Sequence, residues 1–313
     1  MMHILSSQQF NKSDIVNYIY LAEQIRLSGP AKQFPEKTVV NIFYEPSTRT
    51  SCSFQAAAQR LGCKVISLTD KVSSAEKGES LEDTIRTLAC YGDAIVLRHP
   101  AKGSSKIAAA VSKVPILNAG DGNGEHPTQA LLDIYTIHRE LGWHQIDIES
   151  YNRPYLNITF VGDLKNSRTV HSLILVLALF PKMNFECISP PGLAIPDYIV
   201  NRVDALQNRR CVSVNTMTLQ EAILDADVLY MTRIQKERFE SDDEYNAIMS
   251  TIDNYTINKQ RMRMAKRQMI VMHPLPRLSE ISTDIDDDPR AVYFEQVENG
   301  LYMRMAILQS IFS

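Results

Sequence analysis

TVVNIFYEPSTRTSCSFQAAAQRLG, residues 38–62, decides the fold class. An apolar, β-branched run ends at Tyr44-Glu45, and Pro46 breaks it. Ser47-Thr48-Arg49-Thr50 follows, then a stretch in which Phe54, Ala58 and Leu61 share one helical face and Gly62 suits the C-terminal cap. Strand, turn and helix in that order are the unit of a parallel α/β sheet. The turn lies at a helix N-terminus, where unpaired N–H groups and the positive dipole end meet three hydroxyls and a guanidinium; a phosphate fits such donors. The plainer alternative is that Ser47 or Thr48 only caps the helix and Arg49 is a solvated surface residue. Neither GxxxxGK[ST] nor GxGxxG is present here, which weighs against a nucleotide loop.

The same alternation extends outward on both sides. Short apolar runs recur at 64–68, 94–98 and 115–119, then at 157–163, 185–189, 211–215, 227–233 and 269–273, with helix-patterned stretches between them. Two parallel sheets flanked by helices are expected, as a chain of 313 residues exceeds the usual single domain. Between the halves, Ala130, Ile134, Ile137 and Leu141 fall on one helical face after Pro127, so a helix is predicted to bridge the domains. Residues 142–156 are polar and read as a loop; Val297, Leu301, Met305 and Leu308 predict a closing helix. Two strand-to-helix turns echo each other, NIFYEPSTRTS and TFVGDLKNSRTVHS, each placing Ser, Arg and Thr after a strand carboxylate.

With 44% hydrophobic and 22% charged residues, the chain has ample core-forming material. A net charge of −3 gives no basic footprint for nucleic acid, so the positive charge that matters is local. Cys52, Cys63, Cys90, Cys187 and Cys211 form no CxxC pair, so neither a disulfide framework nor a zinc site is indicated and a reducing cytoplasm is expected. No basic leader with an apolar core and no run of roughly 18 apolar residues appears, so a soluble, unprocessed chain without membrane contact is expected.

FYEPSTRTSCSF (43–54), LRHP (97–100), HPTQALLD (126–133), VGDLKNSRTVHSL (161–173), YMTRIQKERF (230–239) and HPLPR (273–277) together resemble, in the same order, the aspartate/ornithine carbamoyltransferase family on its aspartate branch. One departure is visible. Bacterial members commonly carry Arg after STRT and Glu after SF, where this chain has Ser51 and Gln55; the loop is more similar to that of multifunctional eukaryotic pyrimidine enzymes.

The resemblance implies transfer of a carbamoyl group from carbamoyl phosphate to the α-amine of L-aspartate in de novo pyrimidine biosynthesis, with the active site in an interdomain cleft. It implies a carbamoyl-phosphate-binding domain, residues 1–136 plus 291–313, and an aspartate-binding domain, residues 137–290. Ser47, Thr48, Arg49 and Thr50 are then expected to hold the phosphate, while Thr50, Arg98 and His126 aim donors at the carbonyl oxygen. Arg49, Thr50, Arg98 and His126 are the candidate catalytic residues, and Gln129 binds the carbamoyl amide. In isolation, Arg98 reads as a surface arginine and His126 as a packed histidine. Ser73 and Lys77 are implied to reach a neighbouring subunit's site, which makes a homotrimer with shared sites the expected assembly; a regulatory chain stays open.

Aspartate brings two carboxylates, which planar guanidinium groups suit. The expected aspartate side is Lys77, Arg168, Arg233 and Gln235, with backbone carbonyls around Leu275 and Pro276, a candidate cis bond. Glu45 is expected to pair with Arg168 or Arg238, and Glu237 or Glu280 to orient Arg233. Positioning and oxyanion stabilisation supply the chemistry without a metal or redox cofactor. The nearest rival is ornithine carbamoyl transfer, but that branch carries a Cys in an HCLP segment and an SMG motif, and neither occurs here. A non-catalytic paralogue would have lost ligands that this chain keeps. An NAD-dependent oxidoreductase would need glycines that VGDLKNSR lacks.

Overall fold

A computed structural model describes residues 2–69, 78–122, 124–142 and 154–313. The chain divides into two compact units, Met1–Tyr135 with Val297–Ser313, and Thr136–Gln296. Each is built on one parallel sheet.

The first sheet contains β1 (Thr38–Phe43), β2 (Lys64–Thr69), β3 (Ala94–His99) and β4 (Ile116–Asp121), in the spatial order β2-β1-β3-β4. Chain order reverses between β1 and β3, which makes their carboxyl ends a switch point where open α/β sheets bind ligands. Alternation explains the core. Val40, Ile42, Ile95, Leu97 and Ile116 pack with Ile85, Leu88 and Ala108 of α3 (Leu81–Leu88) and α4 (Ser104–Val111). Val39 and Phe43, of opposite parity, are buried as well. A strand buried on both faces reads as a continuous apolar run, as TVVNIF does.

The second sheet contains β5 (Leu156–Val161), β6 (Met183–Ile188), β7 (Val212–Val214), β8 (Val228–Met231) and β9 (Ile270–Met272), in the order β7-β6-β5-β8-β9. Its switch point lies between β5 and β8. The expected strand 157–163 stops at Val161, because Gly162 turns the chain at φ +119° against β8: a Cβ there would lie 2.1 Å from the Thr232 carbonyl oxygen.

Helices follow where capping and periodicity place them. α1 (Lys12–Ser28) precedes β1, α2 (Thr48–Arg60) leaves β1, α5 (Pro127–Glu140) follows β4, α6 (Arg168–Leu177) leaves β5, α7 (Asp197–Gln207), α8 (Leu219–Ala222), α9 (Asp242–Met249) and α10 (Lys259–Met262) fall between β6 and β9 along the chain, and α11 (Tyr293–Phe312) ends it. The division between units falls inside α5 and inside α11. Among the described residues, no helix is long and apolar enough to cross a membrane.

Candidate active site

In the first unit, α2 opens directly from β1. Its N-cap residue is Ser47, but the Ser47 side chain makes no capping bond. The first intrahelical bond runs from Ser51 N to Ser47 O at 3.0 Å, so the amides of Thr48 to Thr50 precede the ladder and face outward at the positive end of the dipole. The Ser47 hydroxyl instead accepts from Arg98 Nη1 at 3.4 Å. Simple capping by Ser47 is therefore not what this turn does. Asn41 Nδ2 tethers the first turn through the Ser51 carbonyl at 3.5 Å, while Gln55 Nε2 donates to Ser51 Oγ at 3.0 Å, which links two residues one turn apart on α2. Thr50 is buried; Thr48 and Arg49 are exposed.

Arg98 stands at the end of β3 opposite a bulge. Leu97 pairs with Asn118 and His99 with Asp121, so β4 carries one residue more than β3 in between, and a bulge of this kind re-aims a side chain. The guanidinium lies 3.4 Å from Glu45 and 3.5 Å from the Ala119 carbonyl oxygen. Glu45 is thus paired with Arg98 of its own unit. The reason is register: Phe43 and Arg98 are opposite one another on adjacent strands, and Glu45 is two residues further on.

His126 is buried and caps α5 through its carbonyl, which accepts from Gln129 N at 3.0 Å. The turn before it is clamped by two acids that the motifs did not single out. Asp121 Oδ1 accepts from Glu125 N at 2.7 Å, and the Glu125 carboxylate accepts from Ser7 N at 2.6 Å and Ser6 Oγ at 2.5 Å. On the next turn, Gln129 Nε2 donates to Asp133 Oδ1 at 2.9 Å.

The second unit repeats the device at its own switch point. After β5, Asp163 is fully buried and accepts from Asn166 N and Nδ2, each at 3.1 Å. Burial pushes the Asp163 carboxyl above its ordinary value; the Asn166 bonds, the Gln235 backbone amide and the Arg233 charge oppose that. Asp163 thus ties the turn after β5 to the turn after β8, a role absent from the sequence reading. Arg168 is the first residue of α6, and its N-cap Ser167, like Ser47, makes no side-chain capping bond.

Arg233 follows β8 and is clasped by both carboxylate oxygens of Glu237, Nη1 donating to Oε2 at 3.0 Å and Nη2 to Oε1. That pairing holds Glu237 below the ordinary carboxylate range against the effect of burial, and raises Arg233. Of the two acids expected to orient Arg233, Glu237 does so directly. Glu280 is committed elsewhere, accepting from His273 Nε2 at 2.8 Å and Leu278 N at 2.9 Å. Burial would raise Glu280, but the His273 bond and charge outweigh it and leave the group lowered. His273 Nδ1 in turn accepts from Leu275 N at 2.7 Å. Leu275-Pro276 is cis, with Leu275 at φ +56°.

Ser47, Thr48, Arg49, Thr50, Arg98, His126 and Gln129 thus lie at or beyond the carboxyl ends of the first sheet's strands, and Arg168, Arg233, Gln235, Leu275 and Pro276 beyond those of the second. Ser73 and Lys77 lie outside the described residues. A separate cleft of about 430 Å³, lined by Asn157, Asn184, Arg209 and Arg210 among others, opens at the amino ends of β5 and β6, at the other end of the sheet from Arg168 and Arg233.

The carbamoyl-P binding domain of the aspartate/ornithine carbamoyltransferases matches residues 2–139, and the Asp/Orn binding domain of the same family matches residues 155–311. The multifunctional protein CAD of Squalus acanthias is 46% identical over 99% of this chain, which spans only 13% of that relative's length. The aspartate carbamoyltransferase catalytic subunit of Clostridium botulinum is 44% identical over 99% of this chain and 97% of its own. The crystal structure of aspartate transcarbamoylase from Trypanosoma cruzi in complex with N-(phosphonacetyl)-L-aspartic acid has a TM-score of 0.88 at 42% identity, covering 99% of this chain and 95% of that one.

Proposed function

We propose that this chain, which belongs to the aspartate/ornithine carbamoyltransferase family, transfers the carbamoyl group of carbamoyl phosphate to the α-amine of L-aspartate, yielding N-carbamoyl-L-aspartate and phosphate for pyrimidine biosynthesis. The observation that carries this reading is the presence of two ligand sets of different chemistry, one in each unit. One is a helix N-terminus with hydroxyls and Arg98, suited to a phosphoryl group beside a carbonyl. The other holds Arg168 and an Arg233 oriented by Glu237, suited to a dicarboxylate. The N-(phosphonacetyl)-L-aspartic acid held by the Trypanosoma cruzi enzyme joins a phosphonate to an aspartate in one molecule, the two chemistries these sets address.

In this reading residues 1–136 with 291–313 bind carbamoyl phosphate and residues 137–290 bind aspartate. The uncharged amine of aspartate attacks the carbamoyl carbon. Ser47, Thr48, Arg49 and Thr50 hold the phosphate, and Thr50, Arg98 and His126 stabilise the oxyanion that forms; a single such donor is worth about 2.7–4 kcal/mol. Gln129 accepts from the carbamoyl NH2. Collapse expels phosphate, whose oxygen takes the proton the amine loses as the new C–N bond is completed. Carbonyls around Leu275-Pro276 receive the substrate's N–H groups, and Gln235 supports Arg233 on the carboxylate.

Purified chain should form N-carbamoyl-aspartate from carbamoyl phosphate and aspartate and give no product with ornithine; a reversed preference would overturn the assignment. A homotrimer in which Ser73 and Lys77 complete a neighbour's site belongs to the same proposal. Its test is hybrid assembly: Arg49→Ala chains mixed with Lys77→Ala chains should regain activity, and verified mixing without recovery would refute shared sites. The five cysteines are all free thiols and suit a reducing compartment such as the cytoplasm.

A further inference from the structure

Beneath Gln129 lies a buried charge pair with no place in the transfer chemistry above. Asp133 is fully buried one turn along α5 from Gln129 and accepts the amide NH2 of Gln129 at 2.9 Å. Arg304 of α11 is 4% exposed; its guanidinium lies 5.1 Å from the Phe54 ring centroid and donates to the Gly300 carbonyl at 3.3 Å. Burial lowers Arg304 to about 10, which still leaves it a cation at neutral pH, and Asp133 acts against that lowering, so the two charges feel each other. The space is shaped for the guanidinium: a Cβ on Gly300 would lie 2.7 Å from Arg304 Nη1 and 3.1 Å from Leu132 Cδ2.

Such a pair is a poor device for stability, because well-packed apolar residues of similar volume commonly serve as well or better. Its effect on Gln129 is specific. A carboxylate only accepts hydrogen bonds, so the end of the amide that faces Asp133 must be the NH2 end, and the oxygen is the end left for a ligand. A carbamoyl group can donate to that oxygen through its own NH2; an acetyl group, with a methyl in that place, cannot.

We propose that Asp133, balanced by Arg304, is a positioning residue that locks the Gln129 amide with its oxygen toward the ligand and thereby selects an acyl phosphate bearing NH2 over one bearing CH3. The proposal rests on the carbamoyl-transfer reading above. Asp133→Asn can donate as well as accept, so it releases the amide to flip.

The test compares the KM for carbamoyl phosphate with the Ki of acetyl phosphate as a competing ligand. In D133N the KM should rise about tenfold, the worth of one well-placed hydrogen bond, while the Ki stays within about twofold. If both constants move together, the residue is merely structural and the proposal falls; if neither moves, it falls as well. Should D133N not fold because Arg304 is then buried without its counter-charge, D133N/R304M removes both charges and reads the same ratio. A wild-type chain that makes no N-carbamoyl-aspartate sinks the underlying reading, whereas an active wild type with an unchanged ratio in the variant sinks this proposal alone.

Discussion

Replacing Arg98 by Met is expected to separate catalysis from stability, because the contacts seen for the guanidinium within its own unit are long. Among its contacts are an ion pair at 3.4 Å to Glu45 and hydrogen bonds at 3.4 Å to Ser47 Oγ and 3.5 Å to the Ala119 carbonyl, the latter two at the weak end of the hydrogen-bond range. The side chains of Arg98 and Glu45 remain 15% and 27% exposed, so water screens their pairing and can solvate Glu45 once its partner is gone. Such a pair is worth roughly 0–1 kcal/mol, and Met keeps most of the packed stem. The expected fall in Tm is then about 2–4 °C at most. Loss of a donor aimed at a developing oxyanion, by contrast, costs about 10²–10³ in kcat. Initial rates of N-carbamoyl-aspartate formation at saturating substrates, run beside thermal unfolding of the same preparations, measure both. A kcat within about fivefold of wild type would remove Arg98 from the transition state. A large loss of kcat accompanied by a Tm drop of about 10 °C would mean that the fold, not the oxyanion, had been damaged.

Glu237→Gln should raise the KM for aspartate roughly threefold to tenfold and leave that for carbamoyl phosphate unchanged, because a half-exposed bidentate clasp on Arg233 is lost; steady-state kinetics with each substrate varied in turn will show whether the effect is confined to aspartate. Gly162→Ala should destabilise by about 3 kcal/mol or more, since the new Cβ meets the Thr232 carbonyl oxygen at 2.1 Å and φ is +119°, and urea unfolding gives the value directly. Asp286 is held down to about 2 by hydrogen bonds from Arg277 and Tyr293. Its folded-state pKa is depressed, so its stabilisation is full above the unfolded carboxylate range near 3.9 and disappears as pH falls toward about 2. The stability gap between wild type and Asp286→Asn, about 1 kcal/mol after discounting for exposure, should therefore be constant above about pH 5 and close below about pH 4. A gap that persists at pH 2 would contradict this linkage.

Local chemistry was legible in the sequence wherever it depends on near neighbours along the chain. The runs around 38–45, 94–98, 157–163 and 227–233 are strands because β-branched and apolar residues fill a buried pleat, and Ser47-Thr48-Arg49-Thr50 announces donors at a helix N-terminus. Residue type and motif make Arg168 and Arg233 the candidate anion ligands of the second unit. Ser73 and Lys77 rest on the resemblance alone and lie outside the described residues.

The echo between NIFYEPSTRTS and TFVGDLKNSRTVHS shows where that reading ends. As strings the two are barely more alike than chance; in the fold, each follows the first strand of its sheet into the switch point, and each starts its helix with a serine that does not cap. Strand order decides this, and it is set by packing between segments far apart in the chain, which no local pattern encodes. The same holds for Asp163 under Gln235 and Arg233, for Glu45 turning to Arg98, and for the charge of Asp133 acting on the buried Arg304. The sequence by itself determined which side chains could bind a phosphate and a dicarboxylate. Only the tertiary structure decided which buried charges hold those side chains in place, because partners on different elements are chosen by burial and register rather than by spacing.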